Sequence, residues 1–199
     1  MTGETMTSDT HPIRVDFIPD EALVLPGKLG MTFAPGMKDF RPGIRWKRDV
    51  SEDLRRLEKE YAADILVSLM EDFEYGGERY EMGGLDAFRE AVEEAGIEFR
   101  HFPILDVDVP RPEQDEEYAA YIEGIIADLE AGKTVVAHCR GGIGRTGTVA
   151  ASVLVGVGHE PDGAIAIVRE ARSPRMLEAE WQEEYVREFA KENRGKWSK

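Results

Sequence analysis

Residues 133–157 constrain the fold most tightly. Lys133-Thr-Val-Val-Ala137 is a short, β-branched apolar run, the pattern of a strand buried on both faces of a sheet. Thr146 to Val157 is strongly apolar over helical length, the pattern of a helix set in a core. Only His138-Cys139-Arg140-Gly141-Gly142-Ile143-Gly144-Arg145-Thr146 joins the two. In a parallel sheet this arrangement puts the connecting loop at the carboxyl edge of a strand, where open α/β sheets bind ligands.

The rest of the chain agrees with that architecture. Residues 1–12 are polar and aperiodic and read as a mobile tail, leaving 13–199 as one domain. Ile13–Ile18 and Ala22–Leu25 read as two short strands around Pro19-Asp20. Residues 26–47 are dense in Pro and Gly and read as irregular. Ser51 can cap a helix reaching about Tyr61, and residues 64–70 form a buried-type strand. Residues 71–83 read as a loop. A helix over 85–95 and a strand over 97–104 follow. A long helix spans Glu113 to about Ala131, with acids in its first turn where the helix dipole favours them. Two helices, Asp162–Arg172 and about Leu177–Glu192, close the chain. Strands alternating with helices from residue 51 onward predict an α/β domain, with a mainly parallel sheet and helices on both faces.

The loop at 138–146 carries chemistry. Glycines at 141, 142 and 144 let successive backbone N–H groups converge into an anion-binding nest, and the following helix turns its positive end to the same spot. Arg145 can grip two oxygens of one phosphate in a bidentate fork. The same field acts on Cys139. An unperturbed thiol is only about 3% ionised at pH 7, and amides, a helix N-terminus and nearby cations raise that fraction. The Thr146 hydroxyl can donate to the sulfur and help it leave. His138, next to the nucleophile, orients the loop by hydrogen bonding. Cys139 is the only cysteine, so no internal disulfide can form, and no Cys/His cluster has zinc spacing.

Hydrolysis of a phosphomonoester also needs an acid to protonate the leaving oxygen. Asp106 and Asp108 lie between a strand and two prolines, and chemistry alone does not separate them. Lys38, Arg41, Arg45, Lys47 and Arg48 form the densest basic stretch, readable as a pocket rim or as a solvated loop. His101 reads as a strand histidine, His11 and His159 as surface residues, and Trp181, Tyr185 and Phe189 as a core-facing helical stripe. The net charge of −15 argues against nucleic acid or an anionic membrane as partner. The N-terminus lacks the pattern of a secretory signal, no run approaches a membrane span, and the expected location is cytoplasmic.

His138-Cys139, five residues and then Arg145-Thr146 resemble the signature of the cysteine-dependent protein phosphatases, His-Cys-x₅-Arg-[Ser/Thr]. Within them the chain is most similar to the dual-specificity branch that includes the kinase-associated phosphatases, from about Leu25 to Phe189. Pro103-Ile104-Leu105-Asp106-Val-Asp-Val-Pro110 resembles that family's acid loop, Leu25-Pro26-Gly27 an element before its first helix, and Arg172 and Gln182 its late Arg and Gln. The resemblance implies a three-layer protein-tyrosine-phosphatase-like fold and hydrolysis of phosphoproteins through a cysteinyl-phosphate. It favours Asp106 as the acid, gives residues 140–145 (Arg140, Gly141, Gly142, Ile143, Gly144 and Arg145) as the phosphate-binding loop, and gives Gln182 the orienting of water. It implies no metal or cofactor. The run Glu71-Asp72-Phe73-Glu74-Tyr75-Gly76-Gly77 departs from the family, so a kinase partner is not carried over, and the oligomeric state is not read. The alternatives are an inositol phosphate or phosphoinositide phosphatase, which one cation and no lysine inside the loop disfavour, and a non-catalytic phosphoprotein-binding module. A redox enzyme would need a resolving thiol, and this chain holds none.

Overall fold

The structure, a computed structural model, describes residues 5–41, 44–76 and 82–197. Its first elements are β1 (Thr5–Met6), β2 (Asp16–Phe17), α1 (Asp20–Leu23), β3 (Lys28–Thr32), β4 (Lys38–Arg41), β5 (Ile44–Lys47) and α2 (Val50–Lys59). Then come β6 (Ile65–Ser68), α3 (Leu85–Glu94), β7 (Glu98–His101), α4 (Asp115–Glu130) and β8 (Thr134–His138). The helices α5 (Gly144–Gly156), α6 (Pro161–Ala171) and α7 (Glu180–Asn193) complete the chain.

The apolar run at 134–138 is the middle of a five-stranded sheet in the order β2-β3-β8-β6-β7. β3 and β6 flank β8 in parallel, β7 extends the parallel set, and β2 pairs antiparallel with β3 at the edge. Side chains alternate across it, as a pleated strand requires. Ile65, Val67, Val135 and Ala137 pack with α4, α5, α6 and α7, whereas Leu66 and Val136 face the layer holding α2 and α3. This is the three-layer α/β arrangement expected. Every residue of α5 is buried, which explains a helix apolar all round.

The chain departs from its sequence reading mainly before residue 48. Residues 20–23 are helical, so the expected strand over Ala22–Leu25 does not form. Residues 26–47, expected to be irregular, hold β3, β4 and β5. Gly30 misled the reading: glycine usually weakens a strand. Here a Cβ at Gly30 would stand 2.4 Å from Val15 Cγ1, so the missing side chain is what lets β2 close on β3. β1 pairs in parallel with β5, and β4 completes a second, three-stranded sheet. The expected tail falls partly outside the described residues, which begin at Thr5. Residues 5–12 lie against the domain. The Ser8 hydroxyl bonds to the Asp49 backbone, accepting from its N–H at 2.9 Å, and Arg48 donates to the His11 carbonyl at 2.6 Å.

No described helix is long and apolar enough to cross a membrane. Among the described residues, no group of His, Cys, Asp and Glu is placed to hold a metal ion.

Candidate active site

β8 ends at His138 and α5 begins at Gly144, so the loop predicted to bind an anion sits at the carboxyl edge of the central strand. Cys139, only 3% exposed, lies in a cleft with Arg140, Gly141 and Ile143. Asp106 and Val107 line the cleft from the loop after β7, Phe33 and Met37 from the connection between β3 and β4, and Trp46 from β5 of the second sheet.

Neighbouring contacts hold the loop in shape. Arg172 donates through Nε to the Gly142 carbonyl at 2.7 Å and through Nη2 to the Gly141 carbonyl at 3.4 Å. It is itself anchored to Asp16 at 2.7 Å. A carbonyl and the N–H of the same planar peptide point in opposite directions. The amides of Gly142 and Ile143 therefore point away from Arg172. Gly142 has φ +65°, and a Cβ there would stand 2.0 Å from the Thr32 carbonyl, so only glycine fits. The Arg140 carbonyl accepts from Ala34 at 3.1 Å.

His138 faces away from the cleft, into the layer of α3. Its Nδ1 lies 3.2 Å from the Cys139 carbonyl, a contact that requires the Nδ1–H tautomer, and its ring meets Phe88 edge-on at 5.8 Å. Its Nε2 is buried without a partner. Burial pushes its pKa down from 6.5 to about 3, so the ring is neutral at working pH. The unfolded chain, with the higher pKa, binds more protons between these values. Stability therefore rises with pH across that window and is lost as pH falls from 6.5 toward 3. His138→Asn should remove this term. Urea denaturation at about pH 7 and about pH 4.5 should show wild type losing on the order of 2–3 kcal/mol more than the variant. Equal losses in both proteins would refute the assignment.

Arg145 is almost fully buried and does more than line the loop. Nη1 and Nη2 reach Glu74 at 2.6 and 3.1 Å, Nη1 also reaches the Ile104 carbonyl at 3.0 Å, and Nη2 reaches Asp106 at 2.7 Å. Burial works to lower its pKa. Glu74, Cys139 and Asp106 outweigh that, and the guanidinium is held more firmly charged than in water.

Glu74 is the residue that sequence reasoning missed. It lies in a 3₁₀ turn, Asp72–Tyr75, inside the run expected to be a loop departing from the family. Tyr75 anchors that turn: it is buried against Phe88 and bonded to the Ser68 hydroxyl of β6. The local signal was Glu71-x-x-Glu74, in which Glu74 reaches back to the Glu71 N–H at 2.8 Å.

The two candidate acids separate. Asp106 lines the cleft and touches Arg145, whereas Asp108 accepts from the Val109 N–H at 2.9 Å and does not line the cleft. Thr146 is buried, but its hydroxyl has no hydrogen-bond partner, so the expected bond to sulfur is not made. Gln182 is fully buried; it donates to the Asp108 carbonyl at 3.1 Å, a contact with the acid loop. Trp181 is not core. It is 51% exposed, and the buried stripe of α7 is Gln182, Val186, Phe189 and Asn193.

None of the described side chains of the basic stretch rims the cleft. Among the described residues the lining includes neither Lys38, Arg45, Lys47 nor Arg48, and the Arg41 side chain lies outside the described residues. Arg48 is buried in a forked pair with Asp53 at 2.7 and 2.8 Å. Its guanidinium packs 4.8 Å from the Phe33 ring and 5.6 Å from the Trp46 ring, supporting the aromatic wall of the cleft.

Among solved structures, kinase associated phosphatase with its catalytic-site cysteine replaced by serine superposes with a TM-score of 0.75 at 21% identity, covering 91% of this chain and 96% of that one. The active form of Tk-PTP is 30% identical, with a TM-score of 0.56 over 79% of this chain and 97% of that one. PTPMT1 in complex with PI(5)P gives 0.60 at 20% identity, over 82% and 90%. No curated protein matches the sequence. Residues 42–159, more than half the chain, match the family described as Tc-R-P, polymorphic toxin system, DSP-PTPase phosphatase. The chain belongs to that family, and it is a cysteine-dependent phosphatase of the dual-specificity type.

Proposed function

We propose that this chain removes phosphate from phosphotyrosine and phosphoserine or phosphothreonine in proteins, through a cysteinyl-phosphate on Cys139. The observation that carries the reading is one cleft, at the start of a buried helix, that both Cys139 and Asp106 line, with the buried Arg145 bonded to Asp106. The Cys139 thiolate attacks phosphorus, an S–P bond forms, and the P–O bond to the substrate breaks while Asp106 gives its proton to the departing oxygen. Water then attacks the phosphocysteine, Asp106 takes a proton from that water, and the S–P bond breaks to release phosphate and restore the thiolate. The amides of the loop and Arg145 stabilise the charge on the phosphoryl oxygens throughout.

Asp106 now occupies Arg145 Nη2, so phosphate binding exchanges one anion for another at that nitrogen. Thr146 keeps a buried hydroxyl free to stabilise the sulfur as leaving group. A cytoplasmic location belongs to the same proposal, because the nucleophile works only as a reduced thiol.

Phosphoinositides are the competing substrate. Parallel assays with phosphotyrosine and phosphothreonine peptides and with PI(5)P vesicles test the choice. Peptides should be preferred by roughly tenfold or more in kcat/KM, since a second phosphate would meet only Arg140 and Arg175 in a cleft that also carries the carboxylates of Asp106 and Glu178. Faster release from the lipid would overturn the reading. Peptide binding without phosphate release would instead support a binding module.

A further inference from the structure

The acid loop is a tight turn fastened at both ends. The Asp108 N–H donates to the Leu105 carbonyl at 3.0 Å, and Val107, third of the four residues, has φ +63°. A positive φ at that position is the type II signature and normally calls for glycine; a β-branched residue there is strained. Arg145 holds the cleft side of the turn, through the Ile104 carbonyl and the Asp106 carboxylate. The other side is held by the first turn of α7. Trp181 Nε1 donates to the Val107 carbonyl at 2.9 Å, and Gln182 Nε2 donates to the Asp108 carbonyl at 3.1 Å. One turn further on, the Tyr185 hydroxyl reaches the Asp115 carboxylate at 3.1 Å, fastening the end of the same segment.

Trp181 is half exposed, so its ring adds little to the core. What it contributes is a single N–H on the carbonyl of the strained residue. We propose that Trp181 is a positioning residue: its indole N–H latches the turn that aims Asp106 at the departing oxygen. Without the latch, Val107 relaxes toward negative φ and the peptide joining it to Asp106 rotates. The carboxyl then spends less time within proton-transfer reach. Geometry errors of this kind weaken a general acid far more than they weaken phosphate binding.

The inference rests on Asp106 being the general acid, and leaving-group dependence tests the two separately. kcat/KM is measured for a series of aryl phosphates, from p-nitrophenyl phosphate to phenyl phosphate, with wild type, Asp106→Asn, Trp181→Phe and the double variant. A working acid flattens the dependence on leaving group. Asp106→Asn should steepen it. Trp181→Phe should steepen it part of the way, with phenyl phosphate losing roughly tenfold relative to p-nitrophenyl phosphate. In the double variant the loss of the latch should add nothing to the loss of the acid. An unchanged slope in Asp106→Asn would refute the general-acid reading itself. A steep Asp106→Asn with a wild-type slope in Trp181→Phe would refute the latch alone. Trp181→Leu repeats the test without the aromatic ring. Unfolding of both Trp181 variants would also overturn the proposal, by making the residue structural.

Discussion

Cys139→Ser is expected to lose at least about 10⁴-fold in turnover of p-nitrophenyl phosphate while folding like the wild type. The change exchanges one small side chain for another at a nearly buried position, so packing is little disturbed. The chemistry is not preserved. Sulfur is the stronger nucleophile towards phosphorus and leaves more readily from it than a serine oxygen, so the phosphoenzyme forms and breaks down far more slowly on serine. Phosphate binding should survive, because the loop and Arg145 remain, and calorimetric titration with inorganic phosphate would detect it. Turnover near that of the wild type would end the proposed mechanism. Loss of phosphate binding together with turnover would mean that the loop itself had collapsed.

Glu74→Ala is expected to reduce both stability and activity. Arg145 is 1% exposed and Glu74 7%, so their pair is a buried one. Removing one partner leaves a buried guanidinium short of its main counter-charge, which costs about 3–5 kcal/mol in comparable sites. The Leu69 and Ile104 carbonyls and Asp106 remain to hold the group, which places the expectation toward the lower end of that range. Activity should fall by about 100-fold, because the fork that must meet phosphate oxygens is no longer aimed. Urea denaturation and kcat/KM on p-nitrophenyl phosphate measure the two effects. A stability within about 0.5 kcal/mol of wild type and an activity within about twofold of it would show that Glu74 is a bystander. A loss of activity without a loss of stability would place Glu74 in substrate contact rather than behind Arg145.

The parts of the fold legible in the sequence were those with a clean period. The apolar runs of β6 and β8, the all-round apolarity of α5 and the faces of α3 and α4 each answer to a local pattern. β3 did not, because Gly30 reads as a breaker until Val15 is seen standing over it. Trp181 was misplaced for a related reason. The stripe at 181, 185 and 189 shares Phe189 with the buried stripe at 182, 186, 189 and 193 but runs one position ahead of it at 181 and 185, and composition favoured the aromatic over the glutamine. A buried Gln is expensive unless its amide is satisfied, and the carbonyl that satisfies it belongs to Asp108, far away in sequence.

The sequence by itself determined the loop proposed to carry the nucleophile: which cysteine, which arginine, and why a strand, a glycine turn and a helix end put them together. Those groups are contiguous, so local backbone geometry is enough to specify their arrangement. The tertiary structure alone decided what aims them. Glu74 meets Arg145 across 71 residues, Asp106 meets it across 39, and Trp181 holds Val107 across 74. No periodicity encodes such pairs. They exist because β6, β7 and β8 end at the same edge of the sheet and α7 folds back across that edge, a consequence of packing rather than of any local pattern.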